Sequence, residues 1–466
     1  MDVLTFTIDA HSKIPIYHQL YSFIKLEIQS GRINYNTKLP SKRKLSSYLK
    51  LSQNTIQTAY DQLIEEGYVV SIERKGFYVC KVDNIIKLDA QKECGEIDYK
   101  YDKPDIEYDF SYNGVDMQNF PFKTWRKLTK DVINEYDKEL LQLGDPQGYY
   151  SLRNSIADYL HQSRGVNCSA DQIIISSGVE FLIQMLIQLF DRDIIYGIEN
   201  PGYEKLNLVF ASNHAKFKTV NIDEGGMMLE EIIKSNADIL CITPSHQFPS
   251  GEIMPINRRV QILNWANETS GRYIIEDDYD SEFKYSGKPI PAMQGLDSNE
   301  KVIYMGAFSK PLSPAVRVSY MVLPAHLTKK YIKNLSFIIC TVPIIDQKVL
   351  FRFIQDGYFE RHLNKMRNIY KRKREILVKN IIELNCGIEV IGADAGLHLL
   401  LRVNNGMTED QLVSSALLNG IKVYGISKYY LDKNYIKKPP IILIGYATMT
   451  ESEICKAVRK LYKAWF

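Results

Sequence analysis

The sequence of 466 residues predicts an α/β protein in two parts. A small N-terminal module of three helices and a hairpin precedes a large domain whose helices cover both faces of a mostly parallel sheet. Three observations carry this expectation. Residues 14–66 show apolar spacing near 3.6, broken by two serines suited to start helices. From Tyr108 onward, β-rich runs at 173–175, 194–196, 239–242, 273–275 and 301–304 alternate with helical stretches, the order expected of a covered parallel sheet. Between the two parts, residues 83–107 are polar, lack apolar periodicity and include Pro104, so they read as a linker.

The first helix spans 14–29, with Ile16, Leu20, Phe23, Ile24 and Ile28 inward and Gly31 as its stop. Ser41 caps a short helix with Leu45, Tyr48 and Leu49 inward. Ser52 caps a third, 53–66, which buries Ile56, Ala59, Tyr60, Leu63 and Ile64 and carries Gln53, Asn54, Thr55, Gln57 and Thr58 near its N-terminal end. Amides and hydroxyls of this kind can read base edges. Residues 68–72 and 76–79 alternate as strands about Glu73-Arg74-Lys75-Gly76, a hairpin with a basic tip. The order is that of a winged helix-turn-helix, whose second helix of the pair enters the major groove of duplex DNA.

Charge agrees with that order. Residues 1–83 hold eleven Lys/Arg against eight Asp/Glu, which accounts for the whole net charge of +3. Lys38, Lys42, Arg43, Lys44 and Lys50 lie in one stretch without an acid, a density that attracts phosphate. The segment KLPSKRKLSSYLKLSQNTIQTAYDQLIEEGYVVSIERKGFYV resembles the GntR-family DNA-binding domain along its length. The resemblance implies that Ser41, Lys42 and Arg43 hold phosphates or groove edges, that Asn54, Thr55 and Gln57 face bases, and that Lys75 and Gly76 form the wing tip of a domain spanning 1–82. Gln53 stands where many members have Arg, which weakens the phosphate grip there.

Composition excludes several classes. With 45% hydrophobic and 24% charged residues, the chain is neither disordered nor collagen-like. Its longest apolar stretch, 181–190, is too short to span a bilayer and contains Gln184 and Gln188, and MDVLTFTIDAHSK is no signal peptide, so a cytoplasmic protein away from membranes is expected. Seven cysteines without CxxC and eight histidines without HExxH lead us to expect neither a disulfide framework nor a metal.

In the large domain the strand ends carry the chemistry. After 173–175 comes Ser176-Ser177-Gly178-Val179-Glu180 and an apolar helix, a turn whose N–H groups suit a phosphate. After 273–275 come Glu276, Asp277, Asp278 and Asp280, of which most would be solvated and one needs a cation. After 301–304 comes Met305-Gly306-Ala307-Phe308-Ser309-Lys310, then Arg317. Pyridoxal 5'-phosphate (PLP) needs such a set: an amine for its aldehyde, a carboxylate for its ring nitrogen, a phosphate cup and an aromatic cover. Lys310, Asp277, the Gly178 turn with Arg317, and Tyr203 supply them, with Tyr279 able to donate to the ring oxygen.

The stretches LGDPQGYYSLRNSIADYL, ENPGY, TPSHQFPSG, YIIEDDYDSEF and YMGAFSKPLSPAVRVSYMVLP resemble fold-type I aminotransferases across 108–466. With the N-terminal module they are similar to the MocR branch of GntR regulators, its GabR-like members above all. The resemblance implies a homodimer with PLP on Lys310, held also by Asp277, Tyr279, Arg317, Tyr203, Gly178 and Val179. It implies transcriptional control by a small amine or amino acid that displaces Lys310 in aldimine exchange.

Three departures bear on the chemistry. Phe248-Pro249-Ser250-Gly251 replaces the usual Asn-Pro-Thr-Gly, so the Asn contact to the ring oxygen is lost or moved; Ala307 replaces a serine of the phosphate cup. Lys428 and Lys205 stand where relatives have arginines for the ligand carboxylate, and a lysine binds a carboxylate without the bidentate fork. The effector is therefore left open among another amino acid, an amine and PLP itself, and so is the alternative that both lysines hold the relatives' carboxylate through an altered geometry. A working aminotransferase with an autoregulatory DNA-binding module is the rival expectation; a DNA-binding protein without PLP is disfavoured by Lys310, Asp277, Tyr279 and Arg317 together.

Overall fold

A computed structural model describes residues 9, 12, 14–81, 105–134, 138–285, 290–384, 387–432 and 440–466. Contacts divide the chain into two compact units, Met1–Tyr101 and Asp102–Phe466. Residues 83–104 of the expected linker lie outside the described residues.

The N-terminal unit contains helices Ile16–Gln29, Lys42–Leu49 and Gln53–Glu65 and an antiparallel hairpin, Val69–Ile72 with Gly76–Val79. Leu20, Ile24, Ile28, Leu45, Ile56, Ala59, Tyr60, Leu63, Val69 and Val79 close one core. Two positions expected inside are outside. Ile16 is 37% exposed because it lies in the opening turn, short of the packed length of its helix, and Tyr48 is 49% exposed because a helix of eight residues buries only Leu45 fully and leaves the i+3 ring at its flank. Lys25 pairs with Glu66 at 2.7 Å, and Tyr21 also donates to Glu66, tying the first helix to the end of the third.

The large unit is built on an eight-stranded sheet in the order Ile173–Ser176, Ser319–Val322, Val302–Ala307, Tyr273–Asp278, Ile239–Ile242, Ile195–Asn200, Lys216–Asp223, Gly226–Met227. The five strands from Val302–Ala307 to Lys216–Asp223 pair parallel. Ser319–Val322 pairs antiparallel with both neighbours, so Ile173–Ser176 points the same way as those five. Val, Ile and Leu without alternation are what a strand covered on both faces requires, and these residues are buried throughout Ile173–Ser176, Ile239–Ile242 and Val302–Ala307. A second sheet, Ile388–Ile391, His398–Val403, Ile441–Gly445 and Tyr424–Gly425, is antiparallel and covered by helices Tyr358–Glu383 and Glu451–Trp465. Among the described residues, no helix is long and apolar enough to cross a membrane.

Candidate functional site

Five of the six parallel strands end at Ser176, Asn200, Ile242, Asp278 and Ala307, and a cavity of about 300 Å³ opens at that edge. Gly178, Val179, Tyr203, Lys205, Asp277, Tyr279, Lys310 and Arg317, widely separated in sequence, all line it. Lys428 does not. Its ammonium lies 5.6, 5.1 and 4.8 Å from the ring centres of Tyr112, Tyr424 and Tyr429.

The carboxylates after Tyr273 were expected to be mostly solvated; they are not, and the structure sorts them by partner. Glu276 is fully buried and accepts from the Met293 and Gln294 N–H groups at 2.7 and 2.9 Å. Asp278 accepts from Arg164 at 2.8 Å and from the Tyr304 hydroxyl at 2.6 Å. Asp280 meets His246 Nδ1 at 2.9 Å. Asp277 is left over: its Oδ1 is buried without a hydrogen-bond partner. Burial, then the neighbouring charges of Asp278 and Glu199, push its carboxyl up to about 7. Strand alternation explains the sorting, because consecutive residues of Tyr273–Asp278 face opposite sides of the sheet.

Lys310 follows the Val302–Ala307 strand and donates to the Tyr112 carbonyl at 2.6 Å. Its enclosure lowers the ammonium to about 8, against the opposing pull of Asp280. That places an amine that titrates near neutrality in the same cavity as an unpartnered carboxyl oxygen.

Also in the cavity wall, Gly178 has φ +132° and precedes helix Val179–Leu189, whose first N–H groups have no partner inside the helix. A Cβ on Gly178 would come within 2.2 Å of Arg317 Nη2, so only glycine permits this approach. Arg317 itself has φ +51° and donates to the Ser177 carbonyl at 2.8 Å, with Glu180 at 3.4 Å. Helix start and guanidinium together make an anion cup.

Aromatic rings form the wall. Phe248 is buried and packs against Tyr112, Tyr203, Tyr279, His398 and Tyr429. The residue that departs from Asn-Pro-Thr-Gly thus adds apolar surface and no side-chain donor. Tyr279 is held protonated by burial and by the charges of Asp280 and Asp277, and its oxygen lies 3.0 Å from His246 Nδ1.

Sequence reasoning did not assign Tyr112, Glu180, Glu199, Asp280 or His398 to this site. Glu199 is buried, accepts from Thr243 Oγ1 at 2.6 Å, and is pushed up to about 7 by burial. It was visible as the first residue of ENPGY; Tyr112 and His398 lie in no such motif and reach the cavity only by folding. His246, Asp280 and His398 bring possible ligand atoms within 4.8 Å of one another, a grouping no sequence spacing suggested. The 2.9 Å contact between His246 and Asp280 is a hydrogen bond.

An amine, an unpartnered buried carboxyl oxygen, an anion cup at a helix start and an aromatic wall surround one cavity. The donor set fits a phosphorylated aromatic ring with a protonated nitrogen and an electrophilic carbon.

In the N-terminal unit, Ser41 accepts from Lys44 N at 3.3 Å and Ser52 from Thr55 N at 3.1 Å, capping the second and third helices. Arg43, Gln53, Asn54 and Lys75 are exposed; Lys42 donates to Gln57, whose amide donates to Asp61. Gly76, at φ +109°, lets Lys38 cross the wing base, where a Cβ would meet Lys38 Cε at 3.2 Å.

Residues 16–79 match the family model for bacterial regulatory proteins of the gntR family, and residues 108–461 match the model for aminotransferase class I and II. The chain is 39% identical to the HTH-type transcriptional regulator YdeL of Bacillus subtilis over the full length of both. It is 29% identical to the probable rhizopine catabolism regulatory protein MocR of Rhizobium meliloti, over 98% of this chain and 95% of that one. The multiple substrate aminotransferase of Thermococcus profundus superposes with a TM-score of 0.69 at 23% identity, over 78% of this chain and 92% of that one.

Proposed function

The chain belongs to the GntR-family transcriptional regulators of MocR type, which join a winged helix-turn-helix to an aminotransferase class I and II domain, and from that premise we propose that it is a cytoplasmic PLP-dependent sensor of a small amine or amino acid. On this reading residues 1–82 bind an operator, 83–107 tether, and 108–466 hold PLP at Lys310. Bound there, PLP supplies an aldehyde that links reversibly to primary amines. Asp277 holds the ring nitrogen, Tyr279 donates to the ring oxygen, Tyr203 covers the ring, and Arg317 with the Gly178 and Val179 N–H groups holds the phosphate.

The observation that carries the reading is the buried Asp277 Oδ1 without a partner, in the same cavity as a lysine whose ammonium is lowered to about 8. A buried acceptor left alone costs about 1–3 kcal/mol, and a protonated ring nitrogen removes that cost. Lys205, which lines the cavity, is better placed than Lys428 to meet an effector carboxylate, because Lys428 is already seated against three tyrosine rings. The protein acts as a homodimer, so that two winged helices meet two half-sites, and the effector changes their fit by binding one domain arrangement better than another.

Purified protein incubated with PLP develops an absorbance band near about 420 nm, and Lys310→Ala does not. A wild-type protein that stays colourless in excess PLP refutes the reading. A panel of amines added to the coloured protein identifies the effector by the spectral change and by altered operator affinity. Steady keto-acid production from that panel would instead favour the aminotransferase.

A further inference from the structure

We infer that the buried His246–Asp280 pair is a positioning device for Tyr279: it occupies the tyrosine oxygen from behind and leaves the hydroxyl hydrogen for the cavity. The inference rests on the PLP reading, since the cofactor's ring oxygen is what that hydrogen would meet.

Proton accounting at one atom carries it. His246 Nδ1 lies 2.9 and 3.1 Å from the two Asp280 oxygens and 3.0 Å from the Tyr279 oxygen. Both side chains of the pair are sealed from solvent, at 1% and 2% exposure. A bare nitrogen there would set its lone pair against a buried carboxylate, so the ring hydrogen sits on Nδ1 and faces Asp280. A nitrogen that carries hydrogen cannot accept one, and Tyr279 therefore cannot donate to it. The tyrosine oxygen becomes a second acceptor at the flank of the N–H, and its own hydrogen is free to point elsewhere. Tyr279 lines the cavity, where Phe248 brings no competing side-chain donor.

The packing keeps the pair in place. Gly396, at φ +72°, passes so close that a Cβ would lie 2.0 Å from His246 Cε1 and 2.7 Å from Asp280 Oδ2. Tyr279 and Asp280 approach His246 from the end of the Tyr273–Asp278 strand. Glu252 acts on it from the turn after Gly251, and His398 from the second sheet with ring centres 4.8 Å apart. His398 hydrogen-bonds the Pro249 carbonyl, and its buried Nε2 has no partner, so it does not compete for the His246 proton. The charge of Asp280 also acts on Lys310, the amine the cofactor would engage.

The test is a pH titration of the visible band of the full-length, PLP-loaded protein. A donor on the ring oxygen withdraws charge from the adjacent protonatable nitrogen, so losing it raises the midpoint of the band change. Tyr279→Phe raises that midpoint. His246→Phe, which keeps the ring and removes Nδ1–H, raises it by roughly half as much, while His246→Asn, whose amide nitrogen can replace Nδ1–H, restores it. In the double variant His246→Phe/Tyr279→Phe the histidine effect disappears, because both act through one hydroxyl.

A His246→Phe midpoint equal to wild type, an unmoved Tyr279→Phe midpoint, or additive shifts in the double variant overturns the inference. If His246→Phe does not fold, the histidine 15N spectrum of the loaded wild-type protein decides: a hydrogen on His246 Nδ1 supports the device, and an unprotonated Nδ1 overturns it. A wild-type protein that takes up no PLP refutes the proposed function, and the inference falls with it.

Discussion

Replacing Asp277 with Asn should stabilise the protein without cofactor and weaken its hold on PLP, two effects of opposite sign from one atom. The carboxyl is pushed from its ordinary 3.8 to about 7 by burial and by neighbouring carboxylates. Below pH 3.8 it is protonated whether the chain is folded or not, and the charge contributes nothing. Between 3.8 and about 7 the unfolded chain releases a proton that the folded one keeps, so stability falls as pH rises, and above about 7 the loss is complete. At about 1.4 kcal/mol per pH unit the interval gives an upper bound of about 4 kcal/mol. The effective dielectric of real buried sites, well above that of dry protein, cuts this to about 2 kcal/mol, or roughly 2–3 °C in the melting temperature of a domain this large. Asparagine carries no such charge, whereas Glu199, Glu276 and Glu282, also pushed up to about 7, remain in both proteins and cancel in the comparison. Thermal unfolding without PLP should therefore show Asp277→Asn gaining on wild type from pH 4 to pH 8. Saturating PLP should raise the melting temperature of wild type well beyond that of the variant. A variant that gains nothing with pH, or that PLP stabilises as much as wild type, refutes the assignment of Asp277 as the unpaired partner of a ring nitrogen.

Other substitutions separate the cup, the frame and the DNA-binding surface. Gly178→Ala places a Cβ against Arg317 in a backbone region that disfavours side chains, and titration by absorbance should show PLP affinity reduced about tenfold or more. Arg164→Met leaves Asp278 buried without its cation and should cost about 3–5 kcal/mol in denaturant unfolding. Ser52→Ala removes the cap of the third helix and should lower the stability of the N-terminal unit by about 1 kcal/mol, read by circular dichroism. Arg43→Ala should weaken binding to all duplexes alike and reduce the slope of log affinity against log salt by about one, whereas Asn54→Ala should change sequence preference.

Much of the site was legible in sequence because its parts are local. A strand end, a short turn and one reactive residue, as in YMGAFSK or SSGVE, are written in consecutive letters, and the β-rich runs placed them at strand ends. The strand Ser319–Val322 was hidden inside a motif and pairs antiparallel on both sides, which no local pattern reveals. The carboxylates of 276–280 were the plainest misreading. Four acids in five residues suggest a solvated cluster, but the fold buries three of them against different partners and leaves Asp277 Oδ1 buried without one.

The division between the two kinds of information follows from range. Period, capping and motif order are properties of neighbours along the chain, and they pointed to the winged module and the covered sheet and singled out Lys310, Asp277, Tyr279 and Arg317, which the fold brings to one cavity. Which carboxylate lacks a partner, that Lys428 is seated against Tyr112, Tyr424 and Tyr429 and is not itself in the cavity wall, and that His246 meets both Asp280 and Tyr279 were decided by tertiary structure. These depend on atoms brought within about 3–6 Å from distant segments, where burial strips away water and makes the presence or absence of a single partner count.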